Sequence, residues 1–157
     1  GGGLVVSPLV ELKLPTGYDS AYSPALGTGY PDLEVRILSG LSLYPLPFYT
    51  GAEVGYKLRG GPFSNQVSYV IEVGATPHPR LFAKIFYNGV NTLSDALANA
   101  GLVGVVQISE GDFANVGFNA AARLAGPLWL DFLWAGVVSG KNIGAGSSWG
   151  LGLALIH

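Results

Sequence analysis

Residues Phe113–His157 read FANVGFNAAARLAGPLWLDFLWAGVVSGKNIGAGSSWGLGLALIH, and their pattern is the strongest indication of the fold. Apolar side chains alternate with small, polar or charged ones, in three runs separated by turns at Gly126-Pro127 and 141–144. Alternation with a period of two residues is strand geometry, because successive side chains of a strand point to opposite faces. One face is wholly apolar, with Ala114, Val116, Phe118, Leu128, Leu130, Phe132, Trp134, Val138, Trp149, Leu151, Leu153 and Leu155. The other face carries Asn115, Asn119, Arg123, Asp131 and Ser139.

The same alternation predicts further strands upstream, over Leu4–Pro15, Asp32–Tyr44, Phe48–Arg59, Asn65–Thr76 and Leu81–Gly89. The stretch Val90–Asp112 alternates least clearly. Ser94–Ala100 is compatible with a short helical turn that has Ser94 as its N-cap, and Leu102–Ser109 is β-prone. We therefore leave open whether this stretch is a long connection or contains strands of its own.

Turn lengths predict which connections share an end of the sheet. Short turns at Pro45–Pro47, Thr76–Arg80 and Ala125–Pro127 alternate with longer links at Thr16–Pro31, Gly60–Ser64, Val90–Asp112 and Gly140–Gly146. In outer-membrane barrels short turns are periplasmic and long loops are extracellular. The simplest count is eight strands, if Val90–Asp112 is a single connection.

Composition favours a membrane protein that crosses with strands. The 157 residues are enough for one domain, 49% of them are hydrophobic, and only 11% are charged, against about a quarter in soluble domains. No uninterrupted apolar run reaches the roughly 18 residues of a spanning helix. The net charge of −2 with no basic patch argues against nucleic-acid binding. The lack of cysteine excludes thiolate chemistry, disulfides and cysteine-ligated zinc.

Charges of both signs share the face opposite the apolar one. The acids are Glu11, Asp32, Glu34, Glu53, Glu72 and Asp131, and the bases are Lys13, Arg36, Lys57, Arg59, Lys84 and Arg123. A closed interior suits this pattern, because a buried charge is costly without a partner. We predict an all-β, antiparallel up-and-down transmembrane β-barrel, a single domain over residues 1–157, in a bacterial outer membrane. A soluble β-sandwich or lipocalin-like binding protein is the alternative, although its surface would be richer in Lys and Glu.

The residues predicted to line the lumen are Glu11, Lys13, Glu34, Arg36, Tyr44, Tyr49, Glu53, Lys57, Arg59, Glu72, Lys84, Arg123 and Asp131. Whether these residues block the lumen or line an open channel depends on the number of strands. Side chains nearly fill an eight-stranded barrel, so there these charges would form a salt-bridged plug. In a barrel of about twelve strands the same residues would line a narrow polar channel.

Other chemistry has little support in the sequence. The only histidines are His78, in a proline-flanked turn, and His157, at the terminus, which argues against a catalytic triad or a transition-metal site. The loop carboxylates Asp19, Asp95, Glu110 and Asp112 fit no calcium-loop spacing and are interpreted as solvated charge. We expect no enzymatic activity, no cofactor and no metal.

Five short motifs resemble the phenol-degradation meta-pathway transporter family of outer-membrane barrels. They are LPTGYD at 14–19, LGTGYPDLE at 26–34, GYKLRGG at 55–61, SGKN at 139–142 and GSSWGLG at 146–152. The resemblance extends from about Leu12 to the end of the chain. It implies transport of small, aromatic or hydrophobic solutes. Family members are usually longer, so we expect either a carboxyl-terminal fragment of a roughly twelve-strand barrel or a small complete relative.

Two functions follow from this reading. The first is a passive channel for small solutes, with selectivity set by the inward charges and tyrosines. The second is a non-conducting structural barrel that anchors the envelope and has a plugged lumen. The expected partners are the lipid bilayer, a small-molecule solute, and either further copies of the chain or envelope proteins.

Overall fold

The computed structural model describes residues 3–15, 28–93, 111–141 and 143–155, and these form eight antiparallel strands. Each strand pairs with its neighbour in chain order, from first to last. The strands are β1 (Leu4–Lys13), β2 (Asp32–Ser42), β3 (Phe48–Arg59), β4 (Gln66–His78), β5 (Leu81–Thr92), β6 (Asp112–Ala125), β7 (Leu128–Lys141) and β8 (Ser147–Leu155). The predicted all-β, antiparallel up-and-down class is confirmed. Within the described residues, β1 and β8 are the two free edges of the sheet.

Short turns join the strands at one end of the sheet, as the sequence predicts. The β2–β3 turn contains Pro45 and Pro47, which have no backbone N–H to donate to a ladder. The β6–β7 turn places Gly126 at a φ of 52°, a left-handed conformation that glycine adopts without steric cost. At the other end the β1–β2 and β5–β6 links, 14–31 and 93–111, are much longer, whereas the β3–β4 and β7–β8 links, 60–65 and 142–146, are about as long as the β2–β3 turn. Among the described residues, β5 pairs directly with β6, the next strand along the chain.

Two predicted positions change at the short-turn end. Strand β2 ends at Ser42 rather than Tyr44, because Leu43 donates to the Phe48 carbonyl and accepts from the Leu46 N–H, which starts the turn. Tyr44 therefore lies in the turn with 69% of its surface exposed, and not on the polar face of a strand. His78 is the last residue of β4 rather than part of the turn, and its Nδ1 accepts from the Arg80 N–H.

A β-bulge corrects a third prediction. Ala114 pairs with Ser139, but the next residue, Asn115, pairs with Val137, so Val138 is an extra residue in β7. The bulge interrupts the alternation and places Ser139 on the apolar face with Ala114. Strict alternation from Leu128 had placed Ser139 on the polar face.

The surface of the sheet that carries the large apolar side chains is called the apolar face, and the surface that carries the charged side chains is called the polar face.

The distribution of exposed surface is the inverse of that in a soluble protein. On the apolar face Ile71 is 55% exposed and Leu153 70%, whereas Glu34, on the polar face, is only 2% exposed. The only buried hydrophobic residue among those described is Ala114. In a soluble core large aliphatic side chains are buried and charged ones are exposed. The apolar face thus needs a non-aqueous environment or a cover.

An aromatic band crosses the apolar face obliquely from β3 to β8. Its members, one on each strand, are Tyr56, Tyr69, Tyr87, Phe118, Trp134 and Trp149. From β3 to β6, each member lies two residues closer to the short-turn end than the register partner of the preceding member. From β6 to β8 the members are direct register partners. The mean shift is about 1.2 residues per strand. With a rise of roughly 3.4 Å per residue and 4.8 Å between strands, this shift puts all members of the band at one height when the strands tilt by about 40°. Transmembrane barrels tilt their strands by about 35–45°.

Several predictions concern residues outside the described ranges. These are the helical turn at Ser94–Ala100, the β-prone stretch Leu102–Ser109, the carboxylates Asp19, Asp95 and Glu110, and His157. No helix among the described residues is long and apolar enough to cross a membrane.

Gly55→Ala tests whether the packing of the polar face is tight. A Cβ at Gly55 would lie 2.4 Å from Ser68 Oγ and 2.8 Å from Arg36 Cγ, whereas one at Gly40 would meet nothing within 4 Å. We expect Gly55→Ala to lower the free energy of unfolding by about 1–3 kcal/mol, because overpacking forces neighbours to move. Gly40→Ala should be neutral or slightly stabilising. Urea unfolding of the refolded protein measures both, and equal effects would contradict the described packing.

Candidate functional site: the polar face of the sheet

Charged residues of the polar face are concentrated on one part of the sheet, β1–β5. Nine of the charged residues predicted to line the lumen lie there, namely Glu11, Lys13, Glu34, Arg36, Glu53, Lys57, Arg59, Glu72 and Lys84. On β6–β8 the predicted residues are Arg123 and Asp131, and small side chains such as Gly117, Ala121, Ala135 and Gly150 occupy much of the same face. The polar face therefore has a charged wall and a wall of small residues.

The most buried charge on this face is the carboxylate of Glu34. Arg36 Nε donates to Glu34 Oε1 at 2.8 Å, and Ser68 Oγ donates to the same oxygen at 2.6 Å. The ammonium of Lys57 lies 3.1 Å from Oε2. We call Glu34, Arg36, Lys57 and Ser68 the Glu34 cluster. Two cations and a hydroxyl offset the cost of removing this carboxylate from water.

Strand register and one glycine assemble the Glu34 cluster. Lys57 is the register partner of Glu34 across β2 and β3, and Gly55 separates Arg36 on β2 from Ser68 on β4. A Cβ at Gly55 would lie 2.9 Å from Glu34 Oε1. Only a residue without a side chain leaves space there, so Ser68 reaches Glu34 across the whole of β3.

Three further ion pairs join neighbouring strands. Their nitrogen–oxygen distances are 2.6 Å for Lys13–Asp32, 2.8 Å for Lys84–Glu72 and 3.8 Å for Arg36–Glu53. Glu11, in register with Glu34, lies within electrostatic reach of Arg36. The charges are thus neutralised sideways, along the wall, by residues on the same or adjacent strands.

Two predicted lumen-lining residues lie at opposite ends of the strands. The guanidinium of Arg59 is 4.7 Å from the centre of the Phe63 ring, at the end with the long links. The Nε of Arg123 donates to the Gly126 carbonyl, in the β6–β7 turn. A guanidinium over an aromatic ring is a cation–π contact. Each Arg is held by contacts at the rim of the face.

On the wall of small residues, Asp131 is held by an amide. Asn119 Nδ2 donates to Asp131 Oδ2 at 2.7 Å and to the Phe132 carbonyl at 3.0 Å. Tyr49, the remaining predicted residue, is half-buried on the polar face of β3, beside the Glu72 carboxylate.

Four residues that contribute to the site were not among the predicted lumen-lining residues: Asp32, Ser68, Asn119 and Gly55. Alternation places all four on the polar face, so the sequence predicts their face. Their partners depend on the register between strands, and register cannot be read from one strand alone.

Comparisons of the chain with protein-family models, with curated proteins and with solved structures find no match.

Removing the Glu34 carboxylate tests the Glu34 cluster. Glu34→Ala leaves Arg36 and Lys57 without their shared counter-charge, and we expect the free energy of unfolding to fall by roughly 2–4 kcal/mol. Glu11→Ala, at an exposed position of the same face, is the matched control, with an expected change within about 0.5 kcal/mol. Denaturant titration of both variants in the same detergent measures the difference. Similar losses for the two would contradict a buried, paired Glu34.

Proposed function

We propose that this chain forms all or part of an outer-membrane β-barrel that acts as a passive channel for small solutes, with the polar face as its lumen. The lateral pairing of charges carries this proposal. Lys13–Asp32, Lys57–Glu34 and Lys84–Glu72 each join adjacent strands. Charges that are satisfied along one wall do not need partners across the lumen, so they line a path without closing it.

The dimensions of the apolar face support a membrane location. On β3, apolar-face side chains run from Phe48 to Leu58, a rise of about 34 Å along the strand at roughly 3.4 Å per residue. A tilt of about 40° projects this length to about 26 Å, close to the roughly 25 Å apolar band of transmembrane barrels. On β3, β4 and β8 the aromatic band lies near the end with the long links, and on β5, β6 and β7 it lies near mid-strand. A band that is level in tilted strands fits an interfacial aromatic girdle.

The free edges set a further requirement. In lipid, the unpaired backbone groups of β1 and β8 need hydrogen-bond partners, because water is excluded. Pairing of β1 with β8 gives an eight-stranded barrel, and additional strands between these edges give a wider one. Strand number therefore sets the width of the lumen.

The class of solute is inferred from the residues that line the charged wall and from the motif resemblance. Lining by both charge signs and by Tyr49 suits a small solute with polar and aromatic parts. The resemblance to the phenol-degradation transporter family favours aromatic or hydrophobic solutes.

A non-conducting structural barrel is the second candidate, and the described strand count favours it. If the eight strands close on themselves, side chains such as Arg36, Glu53 and Tyr49 extend into a narrow interior. Such a barrel would stabilise the envelope or bind partners through its loops.

Conductance distinguishes the two candidates. We expect the purified protein, refolded and inserted into a planar lipid bilayer, to give discrete, steady current steps at constant voltage. Folded protein is verified by its β-rich circular dichroism and its resistance to protease in vesicles. Electrical silence of protein that passes these checks would contradict the channel and favour the plugged barrel.

A charge on the apolar face tests the membrane itself. Ile71→Arg places a cation in the middle of β4 on the lipid side, and we expect it to reduce the folding free energy into vesicles by about 2–4 kcal/mol. Leu46→Arg, in the exposed β2–β3 turn, is the matched control and should change it by less than about 0.5 kcal/mol. Soluble, detergent-free protein that tolerates both substitutions equally would contradict a transmembrane barrel.

A further inference from the structure

A cleft of about 240 Å³ lies on the polar face between β1 and β4, on the short-turn side of the Glu34 cluster. Gly40 and Gly51, which are register partners on β2 and β3, form its floor. A Cβ at Gly40 would meet nothing within 4 Å, so the floor is open at this point. Four consecutive strands, β1–β4, build the cleft.

The lining of the cleft combines apolar walls with negative charge. Val5, Leu38 and Val70 supply the apolar surface. Glu53 and Glu72 supply two carboxylates, and no Lys or Arg is among the described lining residues. Because Glu53 is only loosely paired, at 3.8 Å from Arg36, the lining suits a cation with an apolar body better than an anion.

Tyr49 forms a rigid side of the cleft. A Cβ at Gly74 would lie 2.2 Å from Tyr49 Cε1, so the ring rests directly on this glycine. The Phe82 ring is nearly parallel to it, at 12° and with 6.3 Å between centroids. A fixed aromatic ring beside two carboxylates is a good contact surface for an organic cation.

The two carboxylates differ in how they are held. Glu72 lies over Gly51 and is paired with Lys84 at 2.8 Å. Glu53 has its cationic partner Arg36 at 3.8 Å, and a third of its side chain is exposed. Glu53 is therefore the more accessible of the two carboxylates for a ligand.

We propose that this cleft binds a small organic cation, an ammonium group carried by an apolar or aromatic body. The ammonium lies at Glu53, which Leu38 and Val70 flank on the two neighbouring strands, and the body packs between this row and Tyr49. The proposal deepens the proposed function and rests on it, because it names a class of solute for the face assigned to the lumen.

Three ligands of similar shape and different charge test the proposal: benzylammonium, benzyl alcohol and benzoate. Each is titrated into the full chain, refolded in a non-ionic detergent that carries no ammonium group, with calorimetry as the readout. We expect benzylammonium to bind about tenfold or more tightly than benzyl alcohol, and benzoate to bind more weakly than either. Equal or tighter binding of benzoate would overturn the proposal.

Variants locate the site. Glu53→Gln should weaken benzylammonium about tenfold and leave benzyl alcohol unchanged, since only the charge is removed. Gly40→Val fills the open floor and should weaken both ligands. Asp112→Asn removes a carboxylate at the first residue of β6, outside the predicted lumen-lining residues, and is the control, with no expected effect. Benzylammonium binding that is unchanged in Glu53→Gln, or equally reduced in Asp112→Asn, would overturn the assignment.

The binding experiment and the conductance experiment test the two proposals separately. Binding in detergent needs no current, so an electrically silent protein that binds benzylammonium through Glu53 would overturn the channel but retain the cleft. A conducting protein without charge-selective binding would overturn the cleft alone.

Discussion

The burial of the Glu34 carboxylate is the constraint on which the arrangement of the polar face depends. A carboxylate that is 2% exposed requires partners, and the ones it has come from three strands. Lys57 must stand opposite it on β3, Ser68 must reach it from β4, and the residue between them must be glycine. A slip of one residue between β2 and β3 would move Glu34 to the other face relative to its partners. The cluster therefore selects one register among many.

The apolar face has a different role, because it cannot select a register. Leu33, Val35 and Ile37 on β2 are chemically similar, and a shift by two residues exchanges one aliphatic contact for another. Such a face determines only the environment that the sheet requires, which is a non-aqueous one or a cover. Specificity then has to come from the polar face. This division reverses that of a soluble protein, in which the packed apolar core specifies the structure and the polar surface supplies solubility.

Much of the fold was predictable because strand alternation is local. The eight strands, the short turns and the face of each charge follow from residue order, and the strand Phe48–Arg59 has the predicted limits. The errors occur where the alternation is broken or where contacts cross strands. The bulge at Val138 moves Ser139 to the apolar face, and the turn begins before Tyr44. The role of Ser68 depends on pairing between β3 and β4, which no single strand encodes. Sequence reasoning thus identified the face of the site but not its internal contacts.

The lateral pairing of charges separates the chemistry of the wall from the width of the lumen. Lys57–Glu34 and Lys84–Glu72 are contacts between adjacent strands, and the cleft above Gly40 and Gly51 is built by four consecutive strands. None of these contacts requires a particular partner for the edges β1 and β8. If the polar face is a lumen, closure by eight strands or by more sets the distance from Glu53 and Tyr49 to the opposite wall. Under the proposed function, neighbouring strands would then set solute recognition, and the number of strands would set permeation.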